Sequence, residues 1–410
     1  MTSAQKSCIA LLNTYLGAPL PEAPVDYDAA LAYAQTQSMA GIVAGIALSD
    51  PRLTAAQRAQ YTSIQWATVQ RTCNKRYEFS KIAALLESAG IPYMPIKGHI
   101  IRAVYPCPDL RTMGDIDIMV HEKDRFRAAQ IFFDAGYHEK NTNVCAVEDM
   151  YEKACEDGYA LGVSVIEVHW KLFSLVEESH PQCRSFISEG LWAYAHPLGD
   201  SHEYTLSIEA ELMIMVLHTA QNLYTWACGL RYFLDFALYA QYYHDKLDWD
   251  MVRGQLAAMG YPDLLGSIYA FVAQYFPVSL PFALPALDDE TLSAMAEGIL
   301  EYGVYGKSQV ADGPTMWKYS PDVILSDSRA TAANMIGPLA RLFFPPVIQL
   351  RLRYRYLRRY PFLYPVAWVQ NTARRIKKYA RKHVFSMMRQ LPESINAYSD
   401  EAVLRKKIGL

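Results

Sequence analysis

Three things are missing from this 410-residue chain. No Cys-x-x-Cys pair occurs, and the seven cysteines (Cys8, Cys73, Cys107, Cys145, Cys155, Cys183 and Cys228) stand singly. An odd, scattered set argues against a disulfide framework and a zinc knuckle, and fits a reducing cytoplasm. No run of about 18 apolar residues appears, so no membrane-spanning helix is expected. The opening MTSAQKSCIALLNTYLGAP has a short apolar run broken by Asn13 and Thr14, so it reads as an amphipathic helix and not an export signal. Finally, no acid lies between Arg341 and Lys382, a segment holding twelve Lys and Arg. The formal net charge is −3, so the rest of the chain carries −15.

What is present supports a folded, multi-part protein. Hydrophobic residues make up 51% of the sequence, enough for a sizeable core. The length exceeds one average domain. No internal repeat or low-complexity run is found.

Apolar spacing predicts helices over residues 1–90, as in AALAYAQTQSMAGIVAGIAL and RYEFSKIAALLESAG, the latter closed by Gly90 and Pro92. The period then changes. IPYMPI (91–96) and DIDIMV (115–120) read as strands, as does GVSVIEVHW (162–170), where β-branched residues alternate with Glu167 and His169. GHIIRAVYP and EKDRFRAAQIFFDAGY read as helices between the strands. From Leu206 the helical period returns in SIEAELMIMVLHTAQNLY, with Ser207 as its cap, then in LRYFLDFALYAQYYHDKL and WDMVRGQLAAMG. The expected organisation is α+β: a helical region (1–90), a small mixed α/β core (91–205), a helical domain (206–340) and a basic, aromatic helical tail (341–410).

The chemistry concentrates in DIDIMV. Residues i and i+2 of a strand point to the same face, so Asp115 and Asp117 project together while Ile116 and Ile118 pack behind. Two adjacent carboxylates repel unless something positive lies between them. A divalent cation is the simplest remedy. Magnesium takes one or two protein carboxylates and completes its shell with phosphate oxygens and water, the arrangement that serves in-line displacement at phosphorus. Glu167 is the best-placed third acid, as a metal ligand or as the base for an attacking hydroxyl. His169 shares its face and could orient a phosphate or a carboxylate. The bland alternative is a solvated strand edge or a structural calcium site.

The combination Lys97-Gly98, Tyr105-Pro106, Arg111, Gly114-Asp115-Ile116-Asp117 and Glu167-Val168-His169-Trp170 resembles the bacterial family of uncharacterised nucleotidyltransferases, within the DNA polymerase beta-like superfamily. The resemblance covers roughly 90–260, and Arg341-Leu342-Phe343-Phe344-Pro345 is similar to the family's end. It implies a small mixed sheet flanked by helices. It implies that Asp115, Asp117 and Glu167 hold two magnesium ions, that Lys97 and Gly98 steady the triphosphate, ATP foremost, and that Gly98 opens a helix facing the phosphates. His99 stands where the superfamily usually has serine or glycine, and would donate to phosphate instead. Arg111 and His169 would meet the nucleotide. The gap from Gly98 to Asp115 is longer than usual in the superfamily, and Glu167 replaces an aspartate.

Three polar residues further on, His218, Arg231 and Asp235, could line the cleft. Arg231 and Asp235 are four apart, so an ordinary intrahelical ion pair is the preferred reading. Arg102 is a further candidate for phosphate. The basic segment over 341–382 interleaves Arg and Lys with Tyr, Phe and Trp. It suits a solvated or internally paired helix, peripheral contact with an anionic membrane, or, less well, nucleic acid. The function expected is transfer of a nucleoside monophosphate to an acceptor. A non-catalytic nucleotide-sensing or partner-binding module on the same fold is the alternative.

Overall fold

The computed structural model describes residues 1–139, 156–161, 164–224, 228–301, 303, 350, 354, 356–379 and 403–410. The chain forms two compact units. The first contains Met1–Asn141, Cys155–Lys307 and Ile408–Leu410, and the second Thr142–Ala154 and Ser308–Lys407.

The first unit begins with helices α1 (Ser3–Tyr15), α2 (Tyr27–Thr36), α3 (Ala40–Ala47) and α4 (Ala55–Ser88). Thr2 and Thr54 start α1 and α4 with reciprocal capping boxes to Gln5 and Gln57, and Asp26 caps α2. α4 has 34 residues and so runs about 50 Å. It is far longer than the RYEFSKIAALLESAG segment that signals it, because its middle is mostly polar and exposed and shows no apolar stripe. Gly90, at φ 62, ends it in the left-handed conformation that glycine adopts without steric cost.

The α/β part follows as β1 (Tyr93–Pro95), α5 (Gly98–Ile101), β2 (Ile116–Val120), α6 (Arg125–Asp134), β3 (His138–Glu139), β4 (Glu156–Leu161) and β5 (Ser164–His169). The five strands form one mixed sheet in the order β1-β2-β5-β4-β3. β2 and β5 run parallel, and every other pairing is antiparallel. This is the α+β architecture expected from the change of period along the chain. β3 and β4 were not expected: EDGYAL has no β-branched residue and no clean alternation.

The two faces of the sheet differ. Ile116, Ile118, Val120, Ile166 and Val168 point to one side and form a core with Ile82 and Leu86 of α4 and Ala128 and Phe132 of α6. Asp117, Glu167 and His169 point to the other, as the two-residue period requires.

The unit continues through α7 (Ser174–Ser179) and a second hairpin, β6 (Ala195–Pro197) with β7 (Tyr204–Leu206). The Tyr93 amide donates to the His202 carbonyl at 3.0 Å, tying this hairpin to the main sheet's edge. α8 (Ile208–Leu223), α9 (Leu230–Tyr243), α10 (Trp249–Ala258), α11 (Leu264–Tyr275) and α12 (Asp289–Leu300) complete it. Ser207 caps α8, with Glu209 and Glu211 in the first turn. The first and last helices are stitched together at one backbone oxygen. The Leu300 carbonyl accepts from Gln5 Nε2 (3.3 Å), Tyr33 Oη (2.8 Å) and Gln37 Nε2 (3.5 Å). Gln37 Oε1 in turn accepts from the Leu230 amide at 2.8 Å, at the start of α9.

In the second unit, α13 (Tyr356–Arg359) and α14 (Tyr364–Tyr379) pack through Leu350, Leu357 and Ala367. Residues 304–349, with Arg341–Pro345 among them, lie outside the described residues, as do Cys145, Cys155 and the ends of the basic tail. Among the described residues, no helix is long and apolar enough to cross a membrane.

Candidate active site

The site is assembled from the polar face of the two parallel strands. Asp117 on β2 lies directly beside Glu167 on β5, and His169 follows two positions later. Gly158 of β4 is the register partner of Glu167 on its other side, a position that contributes no side chain of its own. One donor atom from each of Asp117, Glu167 and His169 falls within 4.8 Å of the others. Asp115 precedes β2 and lies outside that group.

Lys97 supplies the positive charge. Its Nζ lies 2.7 Å from Asp117 Oδ1 and 3.4 Å from His169 Nε2, which is itself 2.9 Å from the same carboxylate oxygen. Its backbone is at φ 55, ψ −127, a conformation that glycine takes freely and lysine does not. The tight turn from β1 into α5 thus places an ammonium, at a steric cost, over an acid on the next strand. Burial alone would push the Asp117 carboxyl up. The Lys97 ammonium and the His169 imidazole outweigh it and hold the group well below the usual carboxylate range.

His218, from α8, belongs to the same neighbourhood. It stacks on Phe173 (ring centroids 5.5 Å apart, 14° between planes) and meets Tyr232 edge-on at 5.4 Å. Burial, and then the Lys97 charge, depress its imidazole to about 3, so it is neutral. Phe173 sits at φ 54, ψ 72, in the left-handed region. Among the described residues, two of the three non-glycine residues at positive φ are therefore at this site, where the surrounding packing holds them.

Arg111 is placed differently from the expectation that it meets phosphate. Its Nε and Nη2 donate to the two oxygens of Asp235 at 2.9 and 2.8 Å, and both residues are buried. Tyr105 Oη adds a third bond to Asp235 at 2.6 Å. Arg231 donates to the Thr112 carbonyl at 3.1 Å, so Asp235 takes Arg111 and not its helical neighbour. α9 thus grips the strand-leading segment twice, at Arg111 and at Thr112, just ahead of Gly114 and Asp115. A Cβ on Gly98 would stand 2.9 Å from Arg111 Nη1, so the arginine needs glycine there. His99 turns away to pack on Phe79 (4.1 Å between centroids), beside Arg102 and Arg76. Burial and those two cations depress it to about 4, which leaves it neutral.

Of the residues singled out from sequence, Lys97, Asp117, Glu167, His169 and His218 come together. Arg111, Asp235 and Arg231 form the scaffold behind them, and His99 packs in a separate pocket. Phe173 and Tyr232 were missed. Nothing in a sequence marks a phenylalanine that adopts positive φ.

Two carboxylates and an imidazole converging within 4.8 Å suit a divalent cation. The acids fit magnesium, and His169 can orient Asp117 as an outer partner. No curated protein and no solved structure matches the chain. A family profile does match, over residues 23–277, more than half of the sequence and all of the site just described. The chain belongs to the family of uncharacterised nucleotidyltransferases.

Proposed function

We propose that this protein moves a nucleoside monophosphate from a nucleoside triphosphate, ATP foremost, to an acceptor hydroxyl, releasing pyrophosphate. The observation carrying the reading is the pairing of Asp117 with Glu167 on parallel strands, capped by Lys97 and His169. The family assignment names the reaction class. The five described cysteines are all free thiols, in keeping with a cytoplasmic setting.

Asp115, Asp117 and Glu167 would hold magnesium, two ions in all, which when bound offsets the charge of the phosphates and of the attacking and leaving oxygens. Glu167 takes the proton of the acceptor hydroxyl as its oxygen attacks the α-phosphorus. The new O–P bond forms as the bond to the β-phosphate oxygen breaks, and pyrophosphate departs. Lys97 exchanges Asp117 for a phosphate oxygen when the triphosphate enters. His169 keeps the Asp117 carboxylate aimed. His218, neutral and stacked on Phe173, contributes shape and a hydrogen bond, not charge. Arg111 acts indirectly, by fixing the Gly98 turn.

Isothermal titration with non-hydrolysable ATP, GTP, CTP and UTP analogues, with and without magnesium, tests this. Magnesium-dependent binding should weaken at least about tenfold in Asp117→Asn. No binding of any triphosphate overturns the proposal. Binding without pyrophosphate release on any acceptor converts it to a nucleotide-sensing module.

A further inference from the structure

We propose that α14, in the second unit, docks on the surface of an anionic lipid bilayer. The helix has two apolar sides; among the described residues one packs in a small core and the other is exposed. Ala367 is fully buried against Leu350 and Leu357, with Tyr364 and Trp368 packed beside it. Val366, Val369 and Ala373 recur at three- and four-residue spacing, which puts them together on a different side. Phe362 lies four residues ahead of Val366, in the turn that leads into the helix. Phe362 is 75% exposed, Val369 59% and Val366 47%, and Ala373 is exposed too. Exposed valines on the helix, with an exposed phenylalanine in the turn before it, form an apolar stripe that water solvates poorly.

The occupant follows from charge. The apolar stripe sits within the segment from Arg341 to Lys382, which holds twelve Lys and Arg and no acid. Arg358 and Arg359 precede the stripe in sequence, and Arg374, Arg375, Lys377 and Lys378 follow it. Apolar side chains with dense flanking cations match a bilayer rich in anionic headgroups, where the stripe enters the acyl boundary and the cations meet phosphate. A nucleic acid would use the cations but offers the valines nothing to enter.

The test is flotation of the full-length protein with phosphatidylcholine vesicles, with and without phosphatidylserine. The chain should float with the phosphatidylserine vesicles and not with phosphatidylcholine alone, and added salt should release it. Val366→Ser/Val369→Ser should weaken partitioning about tenfold, with the helical circular dichroism unchanged. Arg374→Glu/Arg375→Glu, which leaves the stripe intact, should do the same. Failure to float, or flotation indifferent to the valine changes, overturns the proposal. So does fluorescence anisotropy in which an oligonucleotide displaces the vesicles and the valine variant binds it undiminished, since the segment would then serve nucleic acid.

Discussion

At Lys97 the backbone and the side chain are in opposition. The side chain neutralises Asp117 at 2.7 Å, and the backbone sits at φ 55, ψ −127 to put it there. Such a conformation costs on the order of 1–3 kcal/mol for a residue with a Cβ. Removing the ammonium by Lys97→Ala and by Lys97→Gly should therefore give different stabilities. Both lose the ion pair, but the glycine variant is expected to be more stable by about 1 kcal/mol or more, because it also relieves the strain. Chemical denaturation of the two variants side by side measures this. Equal stabilities would mean that the turn is not strained. The sequence told half of this story. From sequence, the family resemblance implies that Lys97-Gly98 faces the phosphates; the link of Lys97 to Asp117, twenty residues away, depends on how β1 and β2 align.

At the scale of elements, the buried pair between Arg111 and α9 sets the geometry ahead of Asp115. Breaking a buried pair from one side leaves an uncompensated charge and costs about 3–5 kcal/mol. Asp235→Ala is expected to fall in that range, and Arg111→Met/Asp235→Leu to be less destabilised than Asp235→Ala alone. Urea unfolding of Asp235→Ala, Arg111→Met, Asp235→Leu and the double variant checks it, and additivity of the last three in a double-mutant cycle would sink it. The strands and helices were largely readable because each has its own period: DIDIMV and VIEVHW alternate, and the α8 segment opens on a serine cap. The short pairs were not. β6 is Ala-His-Pro, and β4 opens Glu-Asp-Gly, so neither has the residue types that mark a strand. The partner of Asp235 was equally hidden. Spacing along α9 offers Arg231, and only tertiary packing brings in Arg111 from 124 residues away.

At the scale of the whole molecule, stability should fall toward alkaline pH for a reason unrelated to the active site. Burial of Glu211 raises its carboxyl from 4.5 to about 7, although a hydrogen bond from Tyr239 opposes the shift. The folded state therefore favours the protonated acid. Its stabilising effect is complete below about 4.5 and is lost as pH rises through about 7, a change of about 3 kcal/mol. Glu211→Gln should flatten the profile between pH 5 and 8. Thermal melts of both proteins across that window would show it, and parallel profiles would rule Glu211 out as the source.

The Leu300 carbonyl carries a consequence for how the chain is made on the ribosome. Its three donors, Gln5, Tyr33 and Gln37, are translated some 260 to 295 residues before it. Gln37 also waits for the Leu230 amide, 193 residues later. α1 and the α2 segment therefore carry polar side chains whose final partners do not exist until most of the first unit has been synthesised. Early hydrophobic collapse of that segment would bury those groups at a cost, which disfavours its closure ahead of α12. It settles when α12 arrives, and the beginning and end of the unit become native together.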